Sequence, residues 1–182
     1  MARIGTTAIT WSDVRAAVGL GLVDAKSPDD PAALSQVIDR RLMMTEVARF
    51  PPAEPTPAAI EQRVETMRTF AGAALPELMK STGLDESRLQ DVARDTLRIQ
   101  GYIMQRFGGT AIVGEDDARR YYDDHREQFT RNGMLLPFED VEAEARRLAS
   151  NARLQESIAQ WVRDLHMRSE VVVVPDRTQK PK

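Results

Sequence analysis

The sequence predicts a mostly α-helical protein with a long C-terminal helix and a small β element that pairs N- and C-terminal strands. Three observations carry this. Helix-start signals, a capping residue followed by proline or an acid, recur near Thr10, before Pro31, at Thr56-Pro57, at Asp85 and at Pro137. Apolar residues follow each of them at helical spacing. β-Branched stretches stand near the two ends, at Arg3–Thr10 and Glu170–Val174.

In chain order, Arg3–Thr10 reads as one short strand. Thr10-Trp11-Ser12-Asp13 then starts a helix, with Thr10 or Ser12 as its cap, that runs to about Val23 and faces Val14, Ala17, Val18 and Leu22 to one side. A second helix follows the loop Ser27–Pro31 and ends near Phe50, with Leu34, Val37, Ile38 and Leu42 in register. Pro51–Pro57 is a stiff, extended linker. Beyond it, a third helix carries Ile60, Val64, Met67 and Ala71, and Gly72 and Pro76 end or bend it. A short helical piece reaches Gly83, a C-cap, before Asp85 caps a long helix to about Phe107. Leu89, Val92, Thr96, Ile103 and Phe107 mark that helix's apolar face.

Glu115–Gln128 is a charged helix with one aromatic pair, Tyr121 and Tyr122, and Phe129 stands near its end. Asn132-Gly133 signals a turn. Phe138 to about Arg168 then forms a helix about 45 Å long at the usual rise per residue. An isolated strand leaves its backbone groups unpaired, so Val171–Val174 is expected to pair with Ile4–Ile9.

The chain has 182 residues, 42% hydrophobic and 29% charged, with a formal net charge of -3. Those proportions suit a globular protein large enough to bury a core. The acidic balance argues against nucleic acid or an anionic membrane as main partner. No apolar run approaches the roughly 20 residues of a membrane span. Cysteine is absent, which excludes disulfides and thiol chemistry and is compatible with an oxidising compartment. His125 and His166 are the only histidines; neither has an evident partner, and Asp123-Asp124-His125 point in different directions on one helix. Asp39, beside Arg40 and Arg41, reads as part of a solvated or ion-paired face. Phosphate-cradling glycine loops and Ser-His-Asp contexts are missing, Gly19-Leu-Gly21 being too sparse for the former. The chain therefore reads as a non-enzyme with no cofactor.

The segment Val113-Gly-Glu-Asp-Asp-Ala-Arg-Arg-Tyr-Tyr-Asp123 resembles the V-(T/S)-(D/E)-x-E-(V/A)-x-x-Y-Y lead-in to the peptidyl-prolyl isomerase domain of SurA- and PrsA-type chaperones. Pro137-Phe-Glu-Asp-Val141 resembles the P-F-E-x-V segment just after that domain, and the helix Val37–Ala48 resembles the family's L-I-(D/N)-x-x-L-(L/I)-x-x-E-A helix. The resemblance covers about residues 3–174, but the parvulin domain of roughly 100 residues expected between Phe129 and Phe138 is replaced by a short joint. It implies a helical chaperone core without its isomerase, exported to the periplasm, with a leader that is not in this sequence. Its expected organisation is a discontinuous core of residues 3–50 and 111–174, a helical lobe over 56–110, and a disordered tail over 175–182.

Such a core would hold extended apolar segments of unfolded exported or outer-membrane proteins without ATP. Methionine is unbranched and polarizable and adapts to differently shaped partners. The expected peptide-binding residues are accordingly Met43, Met44, Met67, Met79 and Met104, with Phe50, Phe70 and Tyr102 beside them. The alternative is a structural or assembly protein whose apolar groove is filled by a dedicated partner or by a second copy, with the two joints permitting homodimerisation by helix exchange.

Overall fold

The computed structural model describes residues 1–174, so the expected tail over 175–182 lies outside the described residues. In order, the elements are strands Ala2–Ile4 (β1) and Thr7–Ile9 (β2), then helices Trp11–Gly19 (α1), Pro31–Arg49 (α2), Pro57–Ala71 (α3), Leu75–Thr82 (α4), Glu86–Phe107 (α5) and Glu115–Asp124 (α6). A hairpin of Thr130–Arg131 (β3) and Met134–Leu135 (β4), helix Phe138–Arg168 (α7) and strand Val171–Val173 (β5) complete it. The mostly helical class, the long terminal helix and the sheet joining both chain ends are as the sequence predicts.

The helix starts follow the capping chemistry. Thr10 Oγ1 accepts from the Asp13 N–H at 3.3 Å while Asp13 Oδ2 accepts from the Thr10 N–H at 2.7 Å, a reciprocal capping box. Asp30 and Thr56 cap α2 and α3 ahead of Pro31 and Pro57, and Asp85 Oδ1 accepts from the Arg88 N–H at 2.8 Å. Gly83 ends α4 at φ 72°, a left-handed position that costs glycine nothing.

Several expectations are corrected. Arg3–Thr10 is two strands, because Gly5 takes φ 53° and turns the chain back as a hairpin. The terminal strand therefore pairs only with β1, in antiparallel register Ala2↔Val173 and Ile4↔Val171, and the sheet has three strands in the order β2-β1-β5. Helix α1 stops at Gly19 rather than Val23, with Gly21 at φ 64° just beyond. Helix α6 stops at Asp124, and a 3₁₀ turn, Arg126–Phe129, replaces its expected last turn. The buried face of α5 is Leu89, Ala93, Thr96, Ile99 and Tyr102. Val92, Ile103 and Phe107 are only partly buried.

The described chain divides into two compact units with boundaries inside α5, after Tyr102, and inside α7, before Val162. This differs from the expected division, because the helices over 56–102 group with the N-terminal elements. One unit holds the sheet, α1–α4, most of α5 and the end of α7. Its core gathers Leu20, Val64, Met67, Leu89 and Ala93. The Pro51–Pro57 linker is pinned rather than free: Glu54 pairs with Arg94 at 3.5 Å and Arg98 at 3.7 Å. The other unit, Ile103–Trp161, is built on Ala118, Tyr122, Phe129, Phe138, Val141 and Ala145. There the Tyr122 hydroxyl donates to the Leu136 carbonyl at 2.6 Å, tying the hairpin to α6. Asn132 at φ 53° and Gly133 at φ 78° form the hairpin turn.

Candidate functional site

In the first unit, α1, α2 and α5 enclose a cleft of about 170 Å³. Its walls are Ala16, Ala17, Leu20, Leu22, Val37, Met44, Leu84, Val92 and Ile99, with Asp13, Arg40, Arg41 and Asp95 as its charged members. Val37, Arg40, Arg41 and Met44 recur along α2 at one-turn spacing, so one helix face delivers both greasy and cationic groups. Arg40 is half-buried, and its Nη2 donates to Thr96 Oγ1 at 2.9 Å; that hydroxyl in turn donates to the Val92 carbonyl at 2.8 Å.

Burial sets the electrostatics of the cleft. It holds the Arg40 guanidinium below its ordinary value, helped by the like charge of Arg63 and opposed by Asp95. Burial also pushes the Asp95 carboxyl above the ordinary carboxylate range, against the pull of Arg98 and with the push of Asp91. Arg41 and Arg40 draw the Asp95 carboxyl back toward its charged form, while Asp13 and Arg41 are themselves exposed. Such a lining offers hydrogen-bond donors and acceptors to a peptide backbone and contact area to a side chain. At this volume the cleft takes a side chain or two, not a ligand filling the several hundred Å³ of a typical small-molecule site.

The eight residues singled out from the sequence do not converge. Met44 lines the cleft. Met67 and Tyr102 are buried within the helix packing and present no surface to a partner, a correction that follows from their place on the inward stripes of α3 and α5. Met43 and Met79 are half-buried. Phe50, Phe70 and Met104 are exposed at 64%, 65% and 59%, and Met104 belongs to the second unit. Phe70 lies against Gly21: a Cβ on Gly21 would lie 2.9 Å from its ring, and one on Gly19 would lie 2.6 Å from Leu78. Gly19 is a close-packing position for the end of α1 against α4, and Gly21, just beyond that helix, is one against α3.

The sequence reading missed Arg40 and Asp95. A signal was present: Arg40 falls on the stripe that joins Val37 to Met44, where a charged residue is out of pattern. It also left His166 without a partner, whereas His166 Nε2 lies 2.6 Å from Asp39 Oδ1, so Asp39 is engaged by a residue 127 positions along the chain. His125 stacks on Tyr121 with ring centroids 4.0 Å apart, and its Nδ1 lies 2.9 Å from the Tyr121 carbonyl.

The class this defines is a mostly helical two-unit protein with a terminal three-stranded sheet and a small amphiphilic cleft. Comparison with protein-family models, with curated proteins and with solved structures finds no match to the chain.

Proposed function

We propose that this protein is an ATP-independent holdase: the core of a SurA-type chaperone without its isomerase, acting on unfolded exported or outer-membrane proteins in the periplasm. The cleft carries this reading. Its apolar walls receive a client side chain, while Arg40, Arg41 and Asp95 meet the client's backbone polar groups. Binding is weak and tolerant of sequence, because few groups engage and none reads a particular side chain.

The test is aggregation of a denatured outer-membrane β-barrel protein, followed by light scattering with the chain at stoichiometric amounts. Suppression is expected, together with a blank proline-isomerisation assay. Ala16→Trp, which fills the cleft from its α1 wall, should remove most of the suppression while leaving the circular dichroism unchanged. No suppression by the wild-type chain ends the reading. A second reading, assembly with a copy or dedicated partner, is favoured by the exposed Met134 and Leu135 of the hairpin. A tight dimer that binds no hydrophobic dye would select it.

A further inference from the structure

The terminal sheet has one open side. Strand β5 stands at the end of the order β2-β1-β5, with no neighbour beyond it among the described residues. The alternation of an antiparallel ladder decides which of its backbone groups face outward. At one end the Gly5 N–H donates to the Glu170 carbonyl at 3.3 Å, and at the other the Val174 N–H donates to the Met1 carbonyl at 2.9 Å. In the register Arg3↔Val172, the hydrogen-bonded pairs are therefore Gly5/Glu170, Arg3/Val172 and Met1/Val174. Val171 and Val173 fall between them and turn both N–H and C=O away from β1.

The opposite side of the sheet is closed by comparison. Because Arg3 directs its bonds to Val172, Ala2 and Ile4 direct theirs to Ile9 and Thr7. Ala8 alone is left facing out from β2. The next outward residue, Thr10, has its N–H taken by Asp13 Oδ2 at 2.7 Å and its carbonyl by the Val14 N–H at 3.2 Å. Protected edges carry charges, proline or a bulge. Val171–Val173 carries none of these, and Val172, Val173 and Val174 are exposed.

We propose that the outer edge of β5 takes up an extended segment of an unfolded polypeptide as a fourth strand. Two outward donor–acceptor pairs specify an extended backbone, and pairing through main chain reads extension rather than sequence. A second copy could present its own β5 here, two-fold about Val172. Three residues a side, however, bury far less than the roughly 800 Å² per partner that a stable dimer needs. A transient strand contact is what a holdase requires, so the identity of the occupant rests on the holdase reading, while the open edge rests on the ladder alone.

The experiment is amide exchange by NMR on the intact chain, with and without a synthetic decapeptide of alternating threonine and valine. Without peptide, Val172 and Val174 exchange slowly, and Val171 and Val173 exchange fast. With peptide held at about ten times its dissociation constant, Val171 and Val173 should slow about tenfold and Val172 should not change. The same peptide N-methylated at its central residues should give no protection. Val173→Pro removes an outward N–H without touching the β1 ladder and should bind the unmethylated peptide about fivefold more weakly, the share of one hydrogen bond.

Equal protection by both peptides, or none by either, overturns the proposal. Protection that rises with protein concentration alone overturns the assigned occupant in favour of a second copy. Aggregation suppression without edge protection sinks this inference and spares the holdase reading. Edge protection without suppression does the reverse.

Discussion

Phe129→Ala is the sharpest probe of the second unit. The Phe129 ring is fully buried, with its centroid 5.1 Å from that of Tyr122 and 6.4 Å, edge-on, from that of Tyr121. Truncating a buried phenylalanine costs about 3–5 kcal/mol, from lost transfer energy and the cavity left behind. A unit of about 60 residues has only roughly 3–9 kcal/mol of stability in hand. The substitution is therefore expected to bring this unit to the brink of unfolding under native conditions. Urea denaturation followed by circular dichroism measures the total loss, and amide exchange locates it. Protection at Tyr122 and Val141 should collapse, while Leu42 and Val47, buried on α2 in the first unit, keep theirs. A loss below about 1 kcal/mol, or equal loss of protection in both units, would refute the reasoning, since Phe129 would then not be the centre of a separate core.

Two further outcomes are expected. Tyr122→Phe deletes the hydroxyl that donates to the Leu136 carbonyl at 2.6 Å and should cost about 1–2 kcal/mol in denaturant; a neutral change would mean that the hairpin is not held through this bond. For Asp95, burial raises the folded carboxyl above its unfolded value, so as pH rises the unfolded chain releases this proton first. Its contribution to stability is thus lost as pH climbs from the ordinary carboxylate value through the raised one, and the deficit persists above it. The stability of the wild type minus that of Asp95→Asn should therefore fall as pH rises above the ordinary carboxylate value; a difference that stays flat or grows would contradict the assigned cause.

The sequence was most legible where structure is decided within one turn of the chain. Thr10 as one of the two caps offered for α1, the helix start at Pro31, the Thr56-Pro57 pair, Gly83 and the Asn132-Gly133 turn all act between near neighbours, and each sits where the pattern put it. The hairpin at Gly5 escaped because its strands are three residues each, too short for an alternation of period two to show. Gly19 and Gly21 escaped for a different reason. Their meaning lies in Leu78 and Phe70, on helices whose approach no local pattern announces.

The candidate site marks the same boundary. Choosing residues by type placed Met67 and Tyr102 in a binding surface, although helical phase puts Met67 one turn from Val64, and Tyr102 one turn from Ile99, on inward faces. Phase is the stronger guide, because a helix cannot rotate one methionine outward without exposing its whole stripe. The cleft instead takes its character from Arg40 and Asp95, residues that amino-acid type alone would assign to solvent. Both are shifted by burial in the directions that disfavour charge, yet they stand among partners of opposite sign. Retaining them there costs stability that an apolar pair of similar volume would not. That cost is the physical reason to look for work done by the cleft rather than for packing alone.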